Sequence, residues 1–180
     1  MVWQDLPSPN LPSGYEDYAK KNFEDESKRI ITAFRNHPSI IQWVVFNEGW
    51  GQFDTERMTQ IVISEVGQSL VCCASGWVDA PIGDIKDSHS YPNPSCPLDE
   101  TRAGVCGEYG GITLKVQGHI WPGGDFQYTT VETGKDFTVL FNNLADKVID
   151  HYYYGLNAAV YTQLSDVEIE KNGIYTYDRR

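Results

Sequence analysis

The chain has 180 residues, enough for one domain with a sizeable core. Its formal net charge of −11, with no Lys/Arg cluster, argues against nucleic acid and anionic membranes as partners. No stretch approaches the ~20 consecutive apolar residues that span a bilayer, and no secretory leader is visible in the first residues.

Met1-Val2-Trp3-Gln4-Asp5 reads as a strand that begins without a cap, and Pro7, Pro9 and Pro12 then break regular structure. Ser13-Gly14-Tyr15-Glu16 fits the capping-box pattern and predicts a helix running to about Arg35. Phe23, Ser27, Ile30, Ile31 and Phe34 form its apolar stripe, while Lys20, Lys21, Asp25 and Lys28 lie off it. Ile40-Ile41-Gln42-Trp43-Val44-Val45-Phe46 is β-branched and aromatic without alternation, as in a strand buried on both faces. It stops abruptly at Asn47-Glu48, followed by Gly49-Trp50-Gly51. A second helix is predicted from about Asp54 to Val66, with Met58, Ile61, Val62 and Val66 at helical spacing.

Ser69 to Ser75 predicts another strand, closing on Gly76-Trp77, and Asp84 to His89 a short one ending in His89-Ser90-Tyr91-Pro92. Too few residues separate these two for a full crossover helix. Ala103-Gly104-Val105-Cys106-Gly107 is a small, flat, strand-like run that ends in Glu108 and then Tyr109-Gly110-Gly111. A Gly- and Trp-containing segment from Gly118 to Gly134 leads into a helix from about Lys135 to Tyr153, with Phe137, Leu140, Phe141, Leu144 and Val148 as its stripe. Asn157 to Gln163 is the last predicted strand, and Ser165 to Arg180 reads as a polar, irregular tail.

The four cysteines, Cys72, Cys73, Cys96 and Cys106, have no zinc-site spacing and read as small core residues; the four histidines are scattered. No cofactor or metal is expected. The strand–helix alternation signals a parallel sheet. A polar group at the C-terminal end of a buried parallel strand is where (β/α) barrels keep catalytic residues. Glu48 and Glu108 each fit that description, and two carboxylates facing one cavity are the equipment of a glycoside hydrolase. Each glutamate also fits a plainer role as a helix N-terminal acid. Trp50, Trp77 and Trp121 suit either a sugar platform or a packing anchor.

Several stretches together resemble glycoside hydrolase family 2, the family of β-galactosidases, β-glucuronidases and β-mannosidases. They are Val2-Trp3-Gln4-Asp5-Leu6-Pro7, Arg35-Asn36-His37-Pro38-Ser39-Ile40, Asn47-Glu48, Ala74-Ser75-Gly76-Trp77, Gly107-Glu108-Tyr109-Gly110 and Asn172 to Arg179. They occur in the family's order, over nearly the whole chain. The resemblance implies an α/β fold, a (β/α)8 TIM barrel truncated to strands three to eight. Residues 1–180 would be the partial catalytic domain, its C-terminal three quarters, of a larger multidomain glycosidase. Both ends then read as cut, Met1 as an interior methionine, and β-sandwich domains as lying upstream.

The resemblance makes Glu48 the acid/base, Glu108 the nucleophile and Asn47 the amide that binds the sugar 2-hydroxyl. His89 and Tyr91 fall where the family places polar and aromatic groups near the nucleophile, and Asp5 where it has an acid. Trp121 joins them as a sugar contact. The implied activity is retaining hydrolysis of terminal β-linked sugars, β-galactosidase-like first, on a small carbohydrate substrate. A β-mannosidase or β-glucuronidase of the same family, another barrel glycosidase, an inactive fragment and a non-catalytic carbohydrate-binding remnant are the alternatives. Two departures stand out. Val160-Tyr161-Thr162-Gln163 lacks the tryptophan many members carry, and Glu170-Lys171-Asn172 does not match the uronate-binding Asn-x-Lys signature.

Overall fold

The computed structural model describes residues 1–9 and 16–180. Residues Ser13 to Tyr15 of the expected capping box lie outside the described residues. The chain divides into two compact units: Met1–Asp87 with Leu98–Gly104, and Ser88–Pro97 with Val105–Arg180.

In the first unit, strands β1 (Val2–Asp5), β2 (Ile40–Asn47) and β3 (Leu70–Ser75) form a parallel sheet with β2 in the centre. The unbroken apolar run matches its position, because Gln42, Trp43, Val44, Val45 and Phe46 are all buried. Helices α1 (Asp17–Phe34) and α2 (Thr55–Val66) connect the three strands. α1 buries Phe23, Ser27 and Ile31, while Phe34, expected on the same stripe, is exposed. α2 buries Met58, Thr59, Val62 and Val66. These side chains join Trp43, Val45, Phe46, Val71 and Cys73 in one core. The register sets Asn47 opposite Ser75, so two polar residues end adjacent strands side by side.

A cationic clasp ties Leu98–Gly104 to this unit. Arg102 donates from Nη1 to Asp79 Oδ1 and from Nη2 to Asp79 Oδ2, both at 2.8 Å, and from Nη2 to Asp99 Oδ2 at 2.8 Å. Such bidentate pairing is the strong form of a carboxylate bond. The Arg102 hydrogen bond holds Asp99 well below the ordinary carboxylate range. Burial alone would raise Asp79, but the Arg102 bond and charge outweigh it and leave it lowered. Carboxylates lowered on folding add stability above the unfolded aspartate pKa, and this is lost as pH falls through the folded values. Arg102→Met is therefore expected to lower the urea midpoint at pH 7 and to flatten its decline below pH 4. An unchanged acid profile in the variant would show that the clasp has no such role.

In the second unit, β5 (Ala103–Gly110) runs between β4 (Ile85–Ser90) and β8 (Ala158–Thr162), and β5 and β8 are parallel. The chain passes from one unit to the other within β4 and β5. The β5–β8 register shifts between Cys106 and Tyr109, at Gly107-Glu108. Bulges of this kind re-aim a side chain. Two short strands, β6 (Ile112–Thr113) and β7 (Thr129–Thr130), pair with each other. Helix α3 (Gly134–Tyr153) begins at Thr133, whose Oγ1 accepts the Asp136 N–H at 3.1 Å, an N-cap bond. Leu144 is its one fully buried side chain, and Phe137, Leu140, Phe141 and Val148 pack around it with Cys106, Tyr109, Ile112 and Leu156. The tail has no helix or strand, as expected, yet it buries Asp166, Lys171, Asn172 and Thr176.

The expected TIM barrel of strands three to eight is overturned. The described strands fall into sheets of three, three and two, and none closes on itself. A closed (β/α)8 barrel needs continuous pairing around eight strands with a helix after each. Three helices are present among the described residues, none of them between β3 and β4 or between β4 and β5. Two strands beyond the six expected, β6 and β7, are too short to carry a periodic signal. No helix among the described residues is long and apolar enough to cross a membrane.

Candidate functional site

The candidate residues form two groups, one in each unit. In the first unit, β2 delivers Asn47 and Glu48 where its apolar run ends. The Asn47 N–H donates to Ser8 Oγ at 3.1 Å, and Ser75 Oγ donates to Asn47 Oδ1 at 2.7 Å. The Glu48 N–H donates to the Ser75 carbonyl at 3.0 Å. A turn follows, in which the Trp50 N–H reaches the Asn47 carbonyl at 3.0 Å.

This turn is strained. Glu48 has φ +53°, Val78 in the neighbouring loop φ +60° and Asp54 φ +40°. Positive φ is uncommon outside glycine, and for a β-branched residue such as Val78 it is an outlier. Gly49 is required where it stands. It has φ +76°, and a Cβ there would lie 2.7 Å from Val78 Cγ2. Gln52 Nε2 donates to the Val78 carbonyl at 2.9 Å and joins the two loops. Strained backbone concentrates where a side chain must be held in a set direction, and here it surrounds the half-buried Glu48. Asp5 is exposed at the end of β1, opposite Val44 in the register. Trp50 and Trp77 stand half exposed in the loops after β2 and β3.

In the second unit, the bulge in β5 presents Glu108. The Tyr91 hydroxyl donates to Glu108 Oε2, and it lies 2.9 Å from Thr162 Oγ1 at the end of β8. His89, almost fully buried, places Nδ1 3.5 Å from the same carboxylate oxygen. The two residues left unranked by sequence, His89 and Tyr91, thus both meet Glu108. Burial first, and then the Glu108 hydrogen bond, push the Tyr91 phenol well above its ordinary pKa. Tyr91 keeps its proton and stays a donor.

The Tyr91 ring is fixed by stacking on Tyr128, with centroids 3.7 Å apart and planes 5° from parallel. Gly111 makes room for both rings. It has φ +64°, and a Cβ there would lie 2.5 Å from Tyr128 Cδ2 and 3.0 Å from Tyr91 Cδ1. Trp121 sits elsewhere in this unit, half-buried against the Tyr177 ring of the tail at 4.4 Å.

Sequence reasoning named no role for Ser8, Ser75, Thr162 or Tyr128. Only Ser75 carried a signal, as part of Ala74-Ser75-Gly76-Trp77. The cysteines are free thiols, and burial raises the pKa of Cys72 and Cys73, so both stay protonated. No family model matches the chain, and a search of curated proteins gives no match.

Proposed function

We propose that the protein is a retaining β-glycoside hydrolase, β-galactosidase-like first among the substrate options, acting on terminal β-linked sugars. The observation that carries this reading is the setting of Glu108. A nucleophilic carboxylate must be held in one orientation and met by donors rather than by other anions. Tyr91, held protonated, supplies such a donor, and His89 flanks the same oxygen. The strained turn that presents Glu48 beside Asn47 supports an acid/base role for Glu48. The resemblance of the motifs to glycoside hydrolase family 2 agrees with both assignments.

In this reading a Glu108 oxygen attacks the anomeric carbon as the glycosidic C–O bond breaks. Glu48 gives its proton to the departing oxygen. Glu48, now a carboxylate, takes a proton from water, the water oxygen attacks the same carbon, and the ester to Glu108 breaks. Retention of configuration requires the two carboxyl groups to act from opposite sides of the sugar, ~5–5.5 Å apart. Asn47 binds the 2-hydroxyl, a contact that strengthens as positive charge builds at the anomeric centre.

The test is trapping. Dinitrophenyl 2-deoxy-2-fluoro-β-galactoside, with its glucoside and mannoside counterparts, is incubated with the protein and followed by intact mass and peptide mapping. One fluorosugar per chain on the peptide carrying Glu108 is expected. A label on Glu48 would reverse the roles. Sugar binding without label or turnover would leave a carbohydrate-binding protein in place of an enzyme.

A further inference from the structure

The geometry points to Ser75 as a positioning residue that turns the Asn47 amide so that its nitrogen, not its oxygen, faces the ligand. Ser75 is buried, and it contacts Asn47 and Glu48, two of the candidate residues of its unit. Its carbonyl accepts the Glu48 N–H at 3.0 Å, and its hydroxyl lies 2.7 Å from Asn47 Oδ1.

A serine hydroxyl has one proton to give. Its two acceptors here are Asn47 Oδ1 at 2.7 Å and the Phe46 carbonyl at 3.4 Å. The shorter contact is near the usual O–H···O distance, and the longer one is weak. The reversed amide would donate its N–H to the serine oxygen, but 2.7 Å is short of the usual N–H···O distance, and the serine proton would then have only the distant Phe46 carbonyl. The arrangement in which Oδ1 accepts is therefore favoured, and it leaves the Asn47 NH2 as the outward group. The Ser8 bond to the Asn47 N–H and the register of β2 on β3 fix the backbone on which the amide turns. A donor presented to the O2 atom of a sugar ring suits a substrate with a free 2-hydroxyl and disfavours a 2-deoxy one. This step rests on the glycosidase reading for the identity of the ligand atom, but not for the amide orientation.

The experiment compares Ser75→Ala with the unaltered protein on the nitrophenyl β-glycoside it turns over fastest and on the 2-deoxy counterpart. Loss of one polarised hydrogen bond is expected to lower kcat about tenfold on the 2-hydroxy substrate, with KM moving less. On the 2-deoxy substrate the variant and the unaltered protein should agree within about twofold, since the amide there has no hydroxyl to bind. An equal loss on both substrates, or no loss on either, overturns the assignment. A second arm needs no activity. An atomic-resolution crystal structure of the protein should place Asn47 Oδ1 toward Ser75, and Nδ2 in that place overturns it. If the unaltered protein neither turns over nor is labelled by any of the glycosides, the hydrolase reading fails, and the crystallographic arm still decides the amide.

Discussion

Glu108→Ala is expected to abolish hydrolysis of nitrophenyl β-glycosides, a loss of roughly 10⁵-fold, on the scale of deleting a covalent nucleophile. Glu48→Ala is expected to behave differently. A dinitrophenolate leaving group needs little protonation, so the first step survives and a burst of phenolate appears before turnover stalls. Without a general base to activate water, the glycosyl-enzyme accumulates. Added azide needs no base and should release it as the β-glycosyl azide, with configuration kept. In Glu108→Ala, azide can only attack in place of the missing nucleophile, so the original configuration is not restored. Product configuration by NMR thus separates the two glutamates, which loss of rate alone cannot do. A burst from Glu108→Ala, or a β-azide from it, would exchange the roles.

Why these residues could be read from sequence at all is a matter of contrast. Asn47-Glu48 ends a run of seven residues whose last five bury almost completely, and an amide and a carboxylate there are conspicuous against that background. Glu108 is conspicuous in the same way after Ala103–Gly107. Their supports are not. Ser75 meets Asn47 across 28 positions, and Thr162 meets Tyr91 across 71. A small hydroxyl residue at a strand end has no periodicity and many bland uses, so only the strand register gives it a partner. Tyr128 lies in the segment from Gly118 to Gly134, for which no element was expected, and its stack on Tyr91 depends on Gly111 having no Cβ.

The fold divides along the same line. α2 and α3 were legible within a residue at each end, and α1 at its C-terminal end, because each has an amphipathic stripe; α1 begins at Asp17, after the expected capping box. The parallel pairing of β1, β2 and β3 followed from helices long enough to cross over. The barrel did not follow, since a count of strands says nothing about which strands share a ladder. Lys171 and Asn172 show a further limit of composition. Both are buried in a tail whose polarity reads as exposure, and Lys171 is there because its Nζ reaches Asp125 Oδ1 at 2.5 Å.

Phe46→Ala is expected to destabilise the protein by about 3–5 kcal/mol. Phe46 is fully buried immediately before Asn47. Its ring stacks on Phe23 of α1 at 5.4 Å and 12°, and meets Phe53, just ahead of α2, edge-on at 5.6 Å. One side chain thus ties the central strand to α1 and to the segment that starts α2, and ring pairs of this geometry add to the burial of area alone. Phe46→Leu keeps most of the apolar volume but removes both ring contacts, so a loss of about 1–2 kcal/mol is expected. Urea unfolding at pH 7, followed by far-ultraviolet circular dichroism, gives both numbers. If Phe46→Ala costs less than about 1 kcal/mol, the cluster is not closely packed. The strained Glu48 turn would then lack the rigid base that its backbone geometry requires.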